Sequence, residues 1–157
     1  MTETPPRSSA GKAGAPLSGG SVEPTPPALG PEQVQAFVAN AHGDLEYVRE
    51  ALEKEPALVN ASWDWGGGDW ETALGAAAHM GRRQIALLLL EHGARLDLFA
   101  AAMLGYFDIV SAILADFPDM HDAEGPHGIP LLEHARAGGE DARAVLELLE
   151  STPQVAS

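Results

Sequence analysis

With 157 residues, a formal net charge of -14 and no cysteine, the chain is one domain's worth of sequence that repels phosphate backbones and has no disulfide, thiolate metal site or cysteine nucleophile. The acidity lies in residues 31–157, because Arg7 and Lys12 balance Glu3 and Glu23 in the first thirty residues. The N-terminal tract has no apolar core of a signal peptide and no stretch approaches a membrane span, so a soluble cytoplasmic protein with no nucleic-acid or membrane partner is expected.

Residues 1–30 hold six Pro, five Gly and four Ser, with Leu17, Val22 and Leu29 as their large apolar residues besides Met1. Such a tract buries too little surface to offset its ordering entropy and is expected to be disordered. After Gly30-Pro31 the spacing of Val34, Phe37, Val38 and Ala41 predicts a helix ending at Gly43. From Asp44 a second helix carries Leu45, Tyr47, Val48, Ala51 and Leu52 and must stop before Pro56.

Residues 72–97 repeat this plan with the clearest ends. Thr72 is a good N-cap, Leu74, Ala77 and Ala78 form a short apolar face, and Gly81 suits a left-handed helix end. Ile85, Leu88, Leu89 and Leu90 follow at helical spacing up to Gly93-Ala94. Asp97 can cap a third first-helix, closed by Gly105, whose partner uses Phe107, Ile109, Val110, Ile113 and Leu114 and stops before Pro118. The fourth unit is a helix over residues 130–137, a turn at Gly138 and a final helix from about Glu140 to Glu150, polar outside its Ala142, Val145, Leu146, Leu149 stripe. The repeats fall at about 32–61, 62–97, 97–123 and 124–151 within a domain of residues 31–151, followed by a tail of residues 152–157.

A longer period underlies them. At an offset of 62, Gly43 falls on Gly105, Val48 on Val110, Leu52 on Leu114 and Pro56 on Pro118, while an offset of 57 sets Leu74 on Leu131 and Gly81 on Gly138. The unit is therefore read as a two-repeat block used twice. The five-residue difference is assigned to the longer connector between Asn60 and Thr72.

The run Thr72-Ala73-Leu74-Gly75, Ala77-Ala78, Gly81, Leu88-Leu89-Leu90, Gly93-Ala94 and Asp97 resembles an ankyrin repeat. The family's Thr-Pro-Leu-His opening is incomplete, since Ala73 and Gly75 replace Pro and His, and repeats one and three are degenerate, ending in Pro56 and Pro118. The resemblance implies an all-α solenoid of stacked helix pairs with loops along one edge and a protein partner on the concave side. At Leu96-Asp97-Leu98 there is no room for a projecting loop, so one finger is missing between repeats two and three.

Three features compete for function. Residues 62–70, SWDWGGGDW, gather Trp63, Trp65 and Trp70 in one connector. Two rings are expected to fold back on the inner helices, and Trp65, beside the glycines, to stay exposed as an anchor for a partner. His79 and Met80, Met103 and Leu104, Arg136 and Ala137, and Ala41 and His42 stand at matching ends of the inner helices, a candidate concave face. Finally, His121, His127 and His134 lie among Asp119, Asp122, Glu124 and Glu133, the composition of a transition-metal or hydrolytic site without a known ligand spacing.

The expected function is thus a monomeric, non-enzymatic protein-interaction module without cofactor or metal. It would bind an unidentified protein through Trp63, Trp65, Trp70, His79, Met80 and Met103. The alternatives are a metal-binding or hydrolytic domain built on residues 119–134, and an acidic scaffold for a basic partner.

Overall fold

The computed structural model describes residues 22–151; most of the tract expected to be disordered, and the whole 152–157 tail, lie outside them. Residues 22–30 carry no regular secondary structure, and of these Leu29 packs against the core. Eight α-helices then follow in four pairs: α1 (Pro31–Asn40) with α2 (Leu45–Lys54), α3 (Ala73–His79) with α4 (Arg83–Glu91), α5 (Leu98–Leu104) with α6 (Phe107–Asp116), and α7 (Leu131–Ala137) with α8 (Arg143–Ser151). The caps at Thr72 and Asp97 are those the sequence suggests, and Asp44 acts in the same way. Asp44 accepts the Tyr47 N–H, Thr72 that of Gly75 and Asp97 that of Ala100, each satisfying a donor that the first helical turn leaves free.

The two-repeat block is visible in the backbone. The helices α2 and α6 are each followed at once by a short 3-10 turn, Pro56–Asn60 and Pro118–Asp122, and the residues after those turns, Ala61 and Ala123, share φ/ψ of -63°/143° and -64°/144°. For the other half of the block the register differs from the sequence reading. Helix α3 maps onto α7, and Gly81 with φ 66° maps onto Gly139 with φ 61°, whereas Gly138 is right-handed with φ -71°. The offset there is one residue longer than the sequence suggests. The Leu74–Leu131 match misled because α7 begins directly at Leu131 whereas α3 places Ala73 first.

The connectors account for the remaining difference. The strand β1 (Ser62–Asp64) pairs antiparallel with β2 (Trp70–Thr72), Ser62 opposite Thr72; in the second block an isolated bridge joins Glu124 to Pro130. Between these anchors the first connector is a projecting finger and the second a short loop. Among the described residues no strand lies between α4 and α5.

Two apolar clusters fill the interior. One joins Phe37, Val38, Val48, Leu52, Leu74 and Leu89 across the first two pairs, and the other joins Leu98, Val110, Leu131, Val145 and Leu149 across the last two. Between them α3 and α5 are lined with alanine: Ala76, Ala77, Ala78, Ala100, Ala101 and Ala102 are fully buried. Small side chains let backbones approach closely, and they do so at the helix ends. A Cβ on Gly105 would stand 1.9 Å from the Asp141 carbonyl oxygen, and one on Gly81 2.4 Å from that of Ala137.

Consequently α7 packs on α5 and also touches α3, so the fourth pair reaches past its neighbour. A solenoid in which each repeat meets only the adjacent ones does not describe this contact. It also corrects one expectation. Met103 and Leu104 are buried, 1% and 2% exposed, because the start of the fourth pair's turn covers the end of α5, with the Met103 carbonyl 2.1 Å from where a Cβ on Gly138 would stand. Met103 is a core residue and not part of a binding face. No helix among the described residues is long and apolar enough to cross a membrane.

Candidate functional site

The finger is built by one aspartate and three glycines. Asp64 Oδ1 accepts the N–H groups of Gly66 and Gly68 at 2.9 and 3.0 Å, and the Asp69 carbonyl accepts the Trp65 N–H at 3.0 Å. Gly66, Gly67 and Gly68 all have positive φ, a run that side-chain-bearing residues would adopt only under strain. The tip is thereby a closed turn.

The three tryptophans take three different positions. Trp63 is half-buried and packs against the first core cluster. Trp65 is 37% exposed, but its indole N–H donates to Glu71 Oε2 at 2.6 Å. Trp70 is the freest of them at 61% exposed. The ring expected to be the exposed anchor is therefore partly tied down, and the larger exposed surface belongs to Trp70. Alternation on β2 explains the difference: Trp70 points out, so Glu71 points in.

Glu71 is the centre of the site. Its side chain is completely buried, and three histidines from three other segments converge on it. His79, at the end of α3, places Nε2 2.9 Å from Oε1. His42, in the turn after α1, places Nε2 3.4 Å from Oε2. His127, in the 3-10 turn Pro126–Gly128, places Nε2 3.3 Å from Oε1. One ligand atom from each of the four residues lies within 4.8 Å of the others. Trp65 lies along the edge of the cluster, its ring 6.3 Å from His42 and 6.4 Å from His127.

Outer contacts fix two of the imidazoles. The Nδ1 of His42 faces the carbonyl oxygens of Val38 and Ala39 at 3.1 and 2.9 Å, and the His42 carbonyl accepts from Arg82 Nε at 2.9 Å. His127 donates both its backbone N–H and its Nδ1–H to the Asp69 carboxylate, at 2.8 and 2.7 Å. His127 is also, among the described residues other than glycine, the one with positive φ, 61°. That left-handed conformation costs about 1–2 kcal/mol, and the two hydrogen bonds donated to Asp69 offset it.

Charge in the cluster is balanced by these contacts. Burial pushes the Glu71 carboxyl up, but hydrogen bonds from His79 and Trp65 and the nearby charges of His42 and His127 bring it below the ordinary glutamate value. The Asp69 carboxyl is lowered, first by the His127 backbone N–H. His127 is disfavoured in its charged form by burial, yet the bonds to Asp69 and the field of Glu71 leave its value raised.

The histidines of residues 119–134 do not form one site. His121 hydrogen-bonds Asp122 Oδ1 and the Leu149 carbonyl. His134 is buried in α7 against Phe99, with Nδ1 on the Pro130 carbonyl. His127 instead joins His42, Glu71 and His79. His79 was singled out by its place at an inner-helix end, and Met80 beside it is 44% exposed. His42 stands beside Ala41 at the matching inner-helix end of repeat one, where it corresponds to Met80 and not to His79. Glu71 carried no such signal beyond preceding the cap Thr72. Comparison of the chain with protein-family models, with curated proteins and with solved structures finds no match.

Proposed function

We propose that the chain is a non-enzymatic protein-binding module of the ankyrin-like kind, engaging its partner through the β1–β2 finger with Trp70 as the main anchor. The observation that carries this reading is the 61% exposure of Trp70 on a finger closed by Asp64 and latched by Asp69. A tryptophan held out on an ordered support loses little conformational freedom when it is buried by a partner, which is the economy of an interface hot spot. Met80 adds a second exposed apolar side chain at the end of α3. The net charge of -14 favours a partner whose surface around its apolar pocket is basic.

The test is quantitative co-purification from a lysate of the native host, comparing the full chain with Trp70→Ala and with Trp70→Phe. The alanine variant is expected to lose a partner that the phenylalanine variant largely keeps. Full retention after Trp65→Ala and Trp70→Ala together, with binding that instead falls steeply as salt is raised, would replace this reading with that of an acidic scaffold.

A further inference from the structure

Four side chains of metal-ligand type meet at one point, and two of the three imidazoles have their Nδ1–H committed to outer partners. Carbonyl oxygens only accept, so the Nδ1 of His42, facing those of Val38 and Ala39, carries the proton of the neutral ring. The Nδ1 of His127 donates to Asp69 in the same way. In both neutral rings the lone pair is then on Nε2, and both Nε2 atoms face the buried carboxylate of Glu71. Lone pairs aimed at a buried anion need positive charge between them, which either a second proton on each ring or one shared metal ion supplies.

We propose that His42, Glu71, His79 and His127 form a binding site for a single divalent transition-metal ion, zinc above all, which ties the finger to the first, second and fourth helix pairs. The ligand set is three imidazole nitrogens and one carboxylate oxygen. Metal–ligand distances of about 2.0–2.1 Å put tetrahedral ligand atoms roughly 3.3 Å apart. The Nε2–Oε1 separations of 2.9 Å for His79 and 3.3 Å for His127 are close to that spacing, and one ligand atom from each of the four residues, His42 included, lies within 4.8 Å of the others. The set is wrong for magnesium or calcium, which take oxygen ligands.

The surroundings are those that metal-bound histidines require. A metal-ligating imidazole commonly donates its other N–H to a carboxylate or a backbone carbonyl, which fixes the tautomer and ring orientation. Asp69 does this for His127, and the Val38 and Ala39 carbonyls do it for His42. Trp65 holds Oε2 of Glu71 and so leaves Oε1 for the ion. His79 would bind through Nε2 with its proton moved to Nδ1. Four protein ligands leave no open position, so the ion's role is to hold structure and not to activate water. The site is separate from Trp70, and it stands whether or not the finger binds a partner.

The experiment uses the full chain free of affinity-tag histidines, stripped with a chelator and titrated with zinc chloride, then with cobalt(II) as a spectroscopic probe. One zinc per chain is expected to bind, with a raised melting temperature and, for cobalt, the intense visible absorption of a tetrahedral site. Glu71→Gln and His127→Ala are expected to abolish the one-equivalent plateau. Asp69→Asn is expected to weaken zinc about 10–100-fold. His121→Ala, whose ring lies outside the cluster, keeps full binding. If a ligand variant fails to fold by far-UV circular dichroism, the exposed His127→Ala decides. No one-equivalent plateau in the native chain, or a plateau that survives Glu71→Gln and His127→Ala in a folded protein, overturns the site.

Discussion

The carboxylate of Asp69 accepts two hydrogen bonds from His127, one from the backbone N–H at 2.8 Å and one from the ring at 2.7 Å, across 58 residues of sequence. This pair latches the finger of the first block onto the short loop of the second. It also holds His127 in its left-handed conformation, so one aspartate sets the positions of both the finger and the fourth member of the cluster.

Replacing Asp69 by Ala is expected to free that latch while leaving the helices intact. The His127 amide should then lose its protection in hydrogen exchange followed by NMR, while amides inside α3 and α5 keep theirs. Unchanged exchange at His127 would mean that the latch does not hold in solution.

Two histidines outside the cluster should give stability opposite pH dependences. Both ring nitrogens of His121 face acceptors, and the hydrogen bond to Asp122 first, then that to the Leu149 carbonyl, hold it above its ordinary value despite partial burial. Its contribution is complete below the unfolded value of about 6.5 and is lost as pH rises through the raised folded value. His134 has Nδ1 on the Pro130 carbonyl and a buried Nε2 with no hydrogen-bond partner among the described residues, and burial lowers its value. Its contribution is complete above about 6.5 and is lost as pH falls toward the lowered folded value. Urea unfolding from pH 5.5 to 8 with chelator present should therefore show the cost of His121→Gln shrinking as pH rises and that of His134→Leu shrinking as pH falls. Parallel pH profiles for the two variants would refute this assignment of charge.

Glycines that share a positive φ should differ in what they tolerate. Gly105 and Gly67 both have positive φ, but a Cβ on Gly105 meets the Asp141 carbonyl oxygen and one on Gly67 meets nothing within 4 Å. Gly105→Ala is expected to cost about 2–4 kcal/mol, from strain plus overpacking, and Gly67→Ala about 1 kcal/mol. Denaturant midpoints of the two variants check the order; a Gly67 variant as unstable as the Gly105 one would show that contacts at the helix ends do not set the cost.

Trp63 and Trp70 should separate stability from recognition. Trp63 packs on the core, so truncation to Ala is expected to cost about 2–3 kcal/mol, less than for a fully buried aromatic. Trp70→Ala should stay within about 0.5 kcal/mol of the native chain. Thermal and urea unfolding measure both, and a large loss of stability with Trp70→Ala would make that ring a structural element.

Much of the helical plan was readable from residue order alone, because its causes are local. Asp44, Thr72 and Asp97 cap the next turn of their own helices, Pro56 and Pro118 cannot continue a helix, and apolar spacing of three and four residues marks a buried face. The offset of 62 was equally legible, since equal local sequence produced equal helices and equal 3-10 turns. The one-residue error between α3 and α7 arose where Leu74 and Leu131 are alike in type but differ in their place within the helix.

What the tertiary structure alone decided is which side chains meet. The burial of Met103 depends on how closely the glycine-edged turns of the fourth pair approach α5, a matter of packing between distant segments. Likewise His127 was grouped in sequence with His121 and His134, its neighbours along the chain, yet α7 reaches α3 and brings it to His42, Glu71 and His79. Local sequence determines the helices and their ends because those interactions span one turn. The cluster depends on side chains brought together by the packing of four helix pairs, and no local pattern encodes that meeting.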